Sequence, residues 1–313
     1  MNPFSFYDAP AGDAQLPTRF AIFGIPWDAN STHSHGCPRA APYKLRELSS
    51  FLGRATESGK DINSFPMHDF GDIQVMPSLP DKTRENIHQF VQEVLPWDNC
   101  NPIAVMIGGD HYCSYPVIKA LHDLFERQNK PPFGVIIFDA HLDYYDKWLD
   151  NESDFHCTVT KRVCDLSRVT SERLVVLGVR DMDIPELEMA KSDGLHYIPA
   201  YKLQSMEEIT QVIQNTVETF HNRGIQDIYL SIDIDVLDGA QAPGTGYTIP
   251  GGITYRQLWN TLQLLTKDFN IIGVDLVEVA PDLDLPSNLT QITALKILTE
   301  LMGFIMENAS DSN

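Results

Sequence analysis

The feature that most constrains the fold is an alternation of short, almost wholly apolar runs with longer segments of helical period. These runs are rich in β-branched residues and do not alternate with polar ones, which is typical of parallel strands covered on both faces. This βαβα succession predicts a parallel sheet with helices on both sides. The predicted strands are Phe20–Ile25, Ile103–Ile107, Val135–Phe138, Leu174–Val179, Ile228–Ile232 and Ile271–Leu276.

The segments between these strands predict helices, which are Pro38–Phe51, Arg84–Leu95, Tyr115–Arg127, Met206–Asn222, Tyr255–Lys267 and Asn288–Met306. No internal repeat or low-complexity linker divides the chain. We therefore expect one α/β domain over residues 1–313, with 1–17 as a peripheral N-terminal extension and 308–313 as a peripheral tail. Ligands of such sheets bind beyond the carboxyl ends of the strands.

Charge and cysteine usage narrow the classes of partner and compartment. The formal charge of −20 disfavours nucleic acid and anionic membrane surfaces, and it suits a cationic substrate or simply a solvated acidic surface. The five cysteines are scattered and form no CxxC pair, which disfavours a disulfide framework and a thiolate zinc cluster. No export signal and no apolar run near ~20 residues is visible. We expect a soluble cytoplasmic protein.

Charged residues follow directly on the strand predicted at Val135–Phe138. Asp139, His141 and Asp143 alternate along the chain, so they project to one side if the strand continues. Two carboxylates and an imidazole in one place repel and desolvate one another unless a cation offsets both costs. An acidic turn with a solvated histidine is the alternative interpretation of this motif taken alone.

Two further strand ends repeat this pattern. Asp233 and Asp235 end the strand predicted at Ile228–Ile232, where a helix cap or a surface role is the alternative explanation. His111 follows the paired glycines after Ile103–Ile107, which let the chain turn sharply and leave the imidazole in the crevice. A histidine there would be structural if it stood alone.

Together the three strand ends predict a metal centre. Four carboxylates and two imidazoles without a thiolate suit hard or borderline ions, Mn²⁺ before Ni²⁺ or Zn²⁺. So many anionic ligands favour two ions over one. Glu278 adds a carboxylate to the same rim, and His156 lies near the end of the polar loop that follows Asp143. The predicted ligands are His111, Asp139, His141, Asp143, Asp233 and Asp235.

The motifs, in this order and at these separations, resemble those of the ureohydrolase (arginase and agmatinase) family, closest to its agmatinase-like branch. They are GGDH at 108–111, DAHLD at 139–143, SIDID at 231–235 followed by PGTG and PGG, and EVAP at 278–281. The resemblance runs from GIPWD at 24–28 to the final helix. It implies a three-layer α/β/α sandwich with a mostly parallel central sheet, usually assembled as a trimer or hexamer.

The resemblance also implies roles for the metal ligands and the residues beside them. His111, Asp139, Asp143 and Asp233 would hold one manganese ion, and Asp139 and Asp233 would bridge it to a second. His141 and Asp235 would complete the shell of that second ion. A metal-bound hydroxide would then attack a guanidinium group held by Glu278, His156 would pass a proton to the leaving amine, and Asp143 or Asp235 would stabilise the intermediate.

The substrate that the resemblance implies is agmatine, which would give urea and putrescine. Tyr145 stands where arginases have an asparagine that helps to hold the α-carboxylate of arginine, and no Ser-Gly-Asn segment precedes His156. Acidic residues of the loop between these positions would favour the terminal ammonium of agmatine, or they are solvated charges. They are Asp146, Asp150, Glu152 and Asp154, of which we take Asp146 and Asp154 as the substrate-binding candidates.

Other interpretations remain open at this point. The sequence departs from agmatinases at His33–Gly36, at Gly239, and at Tyr247–Ile249, which replaces the usual Thr-Pro-x. Guanidinobutyrate, another guanidino acid, formiminoglutamate or, less readily, arginine would be the substrate in a second interpretation. Trp27 and Trp148 would line the pocket or simply pack. A non-catalytic paralogue that keeps its metals is the interpretation from another class of protein.

Overall fold

The computed structural model describes residues 4–29, 31, 36–148 and 153–311, and its centre is an eight-stranded sheet with order β2-β1-β3-β8-β7-β4-β5-β6. Every neighbouring pair of strands is parallel. The strands are β1 Phe20–Gly24, β2 Met67–Asp72, β3 Ile103–Ile107, β4 Gly134–Phe138, β5 Leu174–Val179, β6 His196–Pro199, β7 Asp227–Asp233 and β8 Asn270–Val277.

Helices cover both faces of this sheet. One face carries α1, α7, α8 and α9, and the other carries the remaining helices. The helices are α1 Ala41–Ser49, α2 Pro80–Gln89, α3 Trp97–Cys100, α4 Ser114–Arg127, α5 Val159–Cys164, α6 Ile184–Ser192, α7 Met206–Asn222, α8 Tyr255–Asp268 and α9 Leu289–Asp311. The predicted three-layer α/β/α sandwich with a parallel sheet is confirmed.

The strand sequences explain why the sheet is buried on both sides. In β4, Ile136 and Phe138 pack into one core, and Val135 and Ile137 pack into the other. Because side chains of a strand alternate between its faces, a strand that contributes to two cores must be apolar at every position. This is the pattern that predicted the six inner strands.

The two strands that the sequence did not predict, β2 and β6, form the two edges of the sheet. Strand β2 reads MHDFGD, and β6 is half-buried over most of its length. An edge strand has only one neighbour and is less fully covered, so its sequence carries polar residues that hide the apolar pattern.

The helices were predicted less completely than the inner strands. The short helices α3, α5 and α6 were not predicted, since four to nine residues carry too few turns for a clear period. Helix α2 begins at Pro80, four residues before the predicted start, and passes into a π-helical turn at Phe90–Val94.

Both ends of the chain differ from expectation. Residues 4–17 are not wholly peripheral, because Phe6 and Tyr7 are buried in the core beside α1 and α9. Helix α9 continues to Asp311, past the predicted start of the tail. Its segment Leu289–Ala309 is long and apolar enough to cross a membrane, but 72% of that window is buried, and the helix packs on α1 and α8. It is therefore a core helix.

The strand order brings the carboxyl ends of four strands together in the middle of the sheet. Strand β8 pairs with β3 and β7, and β7 pairs with β4. In register, Ile107 lies beside Leu276, Leu276 beside Ile232, and Ile232 beside Phe138. The residues that follow these positions therefore meet at one place on the rim, although β3 and β4 are far from β7 and β8 along the chain.

Candidate metal centre

Side chains from two other strand ends surround the imidazole of His111, which follows β3. Its Nδ1 lies 2.9 Å from Asp139 Oδ2, 3.1 Å from Asp143 Oδ2 and 3.4 Å from Asp233 Oδ2. All four side chains are buried or nearly so. Three carboxylate oxygens therefore converge on one nitrogen in a place that water hardly reaches.

A second group of donor atoms adjoins the first. His141 Nδ1 lies 3.0 Å from Asp235 Oδ2 and 3.3 Å from Asp139 Oδ1. Asp139 thus presents one oxygen to each group. The donor atoms of His111, Asp139 and Asp143, and those of Asp139, His141 and Asp235, lie close enough in each group to hold one ion.

The strand before Asp139 does not continue through Asp143. Alternation along a strand, which was the predicted reason for their common direction, therefore does not apply. Strand β4 ends at Phe138, and Asp143 adopts a left-handed conformation with φ 47°. Glu278, just after β8, does so with φ 59°. Non-glycine residues are held in this region at a cost, and such positions are concentrated at functional sites. Turns, and not strand alternation, bring the side chains together.

Hydrogen bonds from backbone N–H groups fix the orientation of the carboxylates. The amide of Ala140 donates to Asp235 Oδ1 at 3.0 Å, which ties the β4 turn to the β7 turn. The amide of His141 donates to Asp139 Oδ1, and that of Asp235 donates to Asp233 Oδ1. The other oxygens of Asp235 and Asp139 face the imidazoles.

The second of the paired glycines before His111 is required because two segments of the chain approach each other closely at this point. A Cβ on Gly109 would lie 1.8 Å from the carbonyl oxygen of Trp27, so no other residue fits there. The same oxygen accepts the amide of Asp110 at 3.0 Å. The GIPWD segment therefore locks the turn that aims His111 at the cluster, and Trp27 packs in the core against Tyr112.

Hydrogen bonds on the far side of the His111 ring indicate which nitrogen carries the proton. The Ser231 hydroxyl donates to Asp275 Oδ1 at 2.7 Å, so it is available to accept from His111 Nε2 at 3.1 Å. Nδ1 then faces the carboxylates. Nδ1 and Asp139 Oδ2 are buried without a hydrogen-bond partner among the described residues. Burial lowers the pKa of His111, but the hydrogen bonds and charges of Asp139 and Asp143 outweigh it and raise that pKa, so in the metal-free protein a proton is favoured at Nδ1. A bound cation would take the place of that proton.

The acid–base properties of the protein residues agree with this conclusion. Burial and the charge of Asp139 raise the pKa of Asp143 to about 6. Burial and the neighbouring carboxylates Asp235 and Asp139 raise the pKa of Asp233. Burial opposes ionisation of Asp139 too, but the two imidazoles outweigh it and lower its pKa. The carboxylates are held together against their own repulsion, which a multivalent cation removes.

A cavity of about 200 Å³ opens beside the cluster. Glu278 lines it, accepts the amide N–H of His111 at 2.9 Å, and lies 3.7 Å from His156 Nδ1. Burial and the charge of Asp110 raise the pKa of Glu278. Two of the three predicted catalytic residues, Glu278 and His156, therefore meet at the cavity wall, which the third, Asp143, also lines, and their roles remain predictions.

Two predicted substrate-binding residues lie elsewhere. Asp146 pairs with Arg162 at 2.6 Å, and Asp154 pairs with Arg84. Neither lines the cavity, and the predicted contact of these two residues with substrate stays a prediction. Arginines from other segments already neutralise these carboxylates. The predictions that concerned Asp150, Glu152, His33 and His35 fall outside the described residues.

One wall of the cavity carries acidic residues that the sequence analysis missed. Trp148, Tyr145 and Tyr247, which it did name, line the cavity as well. The acidic residues follow β5, so the rule that pointed to the other strand ends was available to find them. The missed residues are Asp181, Met182, Asp183 and Glu186.

Another group of possible metal donors lies away from the cavity on α4, namely His122, Asp123 and Glu126. Asp123 already has cationic partners, since Lys119 Nζ lies 2.5 Å from it and His88 Nε2 lies 2.9 Å from it. Hydrogen bonds from Lys119, His122 and His88 outweigh the burial of Asp123 and lower its pKa to about 2. This group is neutralised by the protein and needs no ion.

Comparisons with known proteins agree on one family. The sequence model described as "Arginase family" matches residues 18–303. Agmatinase from Bacillus subtilis (strain 168) is 31% identical over 287 residues, which cover 91% of this chain and 91% of that protein. Agmatinase from Bacillus cereus is 30% identical over 291 residues, 92% of each. Formimidoylglutamase from Bacillus subtilis subsp. subtilis str. 168 shares the fold, with a TM-score of 0.84 and 22% identity over 97% of this chain and 93% of that one.

Proposed function

The chain belongs to the arginase family, and on this premise we propose that it hydrolyses agmatine to urea and putrescine with two Mn²⁺ ions. The predicted family resemblance is confirmed, and the coarser function, an amidinohydrolase, follows from the named relatives. The observation that carries the proposal is the convergence of two groups of donor atoms that share Asp139 beside an acidic cavity.

Two ions fit the donors better than one. His111, Asp139 and Asp143 form one group, and Asp139, His141 and Asp235 form the other. Oxygen and imidazole donors without thiolate favour Mn²⁺ over softer ions. Asp233, whose Oδ2 lies 3.4 Å from His111 Nδ1, is a further residue that would hold an ion. Bound ions supply the chemistry that a guanidinium demands, a nucleophile made from water at neutral pH and a counter-charge for the intermediate.

The side chains of this protein orient the substrate and move its proton. The carboxylate of Glu278 can accept paired N–H bonds from the planar guanidinium, since its acceptor capacity exceeds the one bond from His111. His156, at the same wall, donates a proton to the nitrogen of the departing amine. Burial of the cluster keeps bulk water out of this exchange.

The acidic wall of the cavity supports a cationic substrate. Asp181, Asp183 and Glu186 form this wall, and Glu186 is buried. Its carboxylate accepts the amide N–H of Tyr144 at 2.8 Å. Burial and the charge of Asp143 raise the pKa of Glu186 to about 7, so a cation placed there would favour its ionised form. The terminal ammonium of agmatine provides that cation.

The same wall disfavours acidic substrates. No lysine or arginine is among the described residues that line the cavity, so the carboxylate of guanidinobutyrate or formiminoglutamate would have no cationic partner there. Lys161 pairs with Asp165, and Arg180 donates to the backbone carbonyls of Asp235 and Ile249. Arginine carries both an ammonium and a carboxylate. Its ammonium would pair with the acidic residues of the wall, but its carboxylate would have no cationic partner there.

A panel of guanidino compounds tests the proposal. The Mn²⁺-loaded protein would be assayed for urea with agmatine, guanidinobutyrate and arginine, and for formamide with formiminoglutamate, with each scored by kcat/KM. We expect agmatine to exceed every acid by about tenfold or more, since an unpaired buried charge costs several kcal/mol. A higher kcat/KM for an acid would contradict the substrate, and release of neither product from any compound would contradict the proposed reaction.

A further inference from the structure

Tyr247 is an aromatic residue of the cavity wall that contacts two of the predicted site residues, His156 and His141. It lines the cavity, and its ring lies 6.0 Å from the ring of His156 at an interplanar angle of 24°. It also meets the ring of His141 edge-on at 5.8 Å and 78°. One tyrosine thus touches the predicted proton donor and a predicted metal ligand at the same time. It stands at the position where the sequence departs from the Thr-Pro-x of agmatinases.

The loop that carries Tyr247 is fixed by contacts that do not involve the cavity. Arg180 donates to the carbonyl of Ile249 at 2.7 Å and to that of Asp235 at 2.7 Å. The carboxylate of Asp238 accepts the amide of Gly251 at 2.8 Å. On the other side, the amide of Gly244 donates to Thr290 Oγ1 at 2.7 Å. Because both ends of the loop are tied to the fold, the ring is in place before a substrate arrives.

We propose that Tyr247 is a positioning and specificity residue: its ring face holds the plane of His156, and its bulk restricts the reacting end of the cavity to guanidines on unbranched carbon chains. This inference rests on the proposed function, because it concerns which guanidines react. Aromatic pairs in stacked geometry contribute beyond simple burial, so the ring restrains the imidazole. Its bulk lies next to His141, near the donor atoms.

The two effects are separable by the size and flatness of the replacement. Tyr247→Phe keeps the ring, so we expect kcat and specificity near those of the unaltered protein. Tyr247→Leu keeps bulk but loses the stacking surface, so kcat should fall about tenfold with little change in KM, because a misplaced proton donor slows the chemical step. Tyr247→Thr loses both, and should in addition accept a bulkier substrate.

The experiment compares agmatine with its analogue that carries a methyl group on the carbon attached to the guanidino nitrogen. We expect the unaltered protein to prefer agmatine by about tenfold or more, since one extra methyl in a tight pocket costs that much. Tyr247→Thr should lower the preference to near unity, whereas Tyr247→Leu should retain most of it. The matched control is Tyr201→Thr, the same chemical change at a tyrosine that is 70% exposed and does not line the cavity.

The outcomes separate this inference from the proposed function. If the unaltered protein hydrolyses neither guanidine, the proposed function fails and this inference fails with it. If it hydrolyses agmatine, and Tyr247→Leu and Tyr247→Thr keep its kcat and its preference, only the inference is overturned. Melting temperature and metal content measured for each variant identify an unfolded protein. Should Tyr247→Thr not fold, the fall in kcat of Tyr247→Leu and its rescue in Tyr247→Phe decide the positioning role, and an unchanged kcat would refute it.

Discussion

Two buried clusters in this molecule crowd carboxylates together, and among the described residues only one of them contains an arginine that neutralises its carboxylates. At the edge of the sheet, the Arg46 guanidinium lies 2.7 Å from Asp69 Oδ2 through Nε and also pairs with Asp72. Asp69 further accepts the amide of Phe6 at 2.8 Å, which fastens the N-terminal segment to β2. At the carboxyl end of the central strands, the carboxylates have no lysine or arginine paired with them among the described residues.

The difference teaches how to tell a structural cluster from a functional one. In the Arg46 cluster, hydrogen bonds and charge are balanced within the chain, and removing a partner leaves an uncompensated buried charge. In the central cluster the balance is incomplete, since His111 Nδ1 and Asp139 Oδ2 have no hydrogen-bond partner among the described residues. A protein keeps such an arrangement when an external cation completes it. The predictions below apply the same kind of change to both clusters.

The largest expected effect is on activity, from Asp233→Asn in the central cluster. Loss of this carboxylate should lower kcat/KM by at least about 10³-fold, because the metal contribution to such reactions amounts to several kcal/mol. The metal-free variant should be as stable as the unaltered protein or more stable, since neighbouring carboxylates already raise the pKa of Asp233. Urea release and thermal unfolding after chelation measure the two quantities. Full activity would remove Asp233 from the site.

The matched change, Asp69→Asn, should have the opposite profile. It deprives the buried Arg46 of its bidentate partner, so we expect a loss of about 3–5 kcal/mol in the free energy of unfolding. Metal bound per folded chain should stay unchanged, because Asp69 lies outside both donor groups. Denaturant unfolding and elemental analysis of the folded fraction give the answer. A stable variant that has lost its metal would reverse the distinction between the clusters.

The pH dependence of stability should change sign with metal. The pKa of Asp143 is raised to about 6 and those of Asp233 and Glu278 are raised too, so the metal-free folded protein binds more protons than the unfolded chain above about pH 4. Its stability therefore falls as pH rises above about pH 4, and the raised pKa values of His111 and His141 continue this fall at higher pH. The lowered pKa of Asp139 acts only below about pH 4, outside this window.

With metal bound, acidification should destabilise the protein, because ions bind only the deprotonated ligands. Melting temperatures of the two forms, measured from about pH 5 to about pH 8, should therefore run in opposite directions. Parallel curves would mean that the cluster does not bind the ion. The Arg46 cluster is common to both forms and cancels in the comparison.

The smallest effect on activity is expected at the acidic wall of the cavity. Glu186→Gln removes the buried negative charge that faces the cavity, and it should raise KM for agmatine about tenfold, with kcat nearly unchanged, since a hydrogen bond to a charged group contributes about 1.5–3 kcal/mol. The relative kcat/KM for guanidinobutyrate should improve. Steady-state kinetics with the two substrates measure both, and an unchanged ratio would remove Glu186 from recognition.

The same contrast explains what the sequence could predict. The inner strands β3 and β5 were predicted to the residue, because burial on both faces forces an apolar run that few other structures share. The convergence of the predicted metal ligands could be foreseen because strand ends meet at one rim, so a position along the chain becomes a position in space. The edge strands β2 and β6 have weaker patterns and were not predicted.

The cavity wall was harder to predict, for a physical reason. Asp146 and Asp154 resemble Asp183 in sequence, but Arg162 and Arg84 neutralise them, and these arginines lie 16 and 70 residues away along the chain. Which acid remains available to a ligand therefore depends on tertiary pairing. Tyr247 was noticed as a departure from the family pattern, yet only its contacts with His156 and His141 show what it can do.

The most direct test is a crystal of the protein grown with Mn²⁺ and measured at the manganese absorption edge. We predict two anomalous peaks, with oxygens of Asp139 bonded to both ions and His111 and His141 on opposite sides. At the Arg46 cluster and at His122 there should be no peak. An empty central cluster in protein saturated with Mn²⁺, or a peak only at His122, would contradict the assignment of these residues as the metal centre.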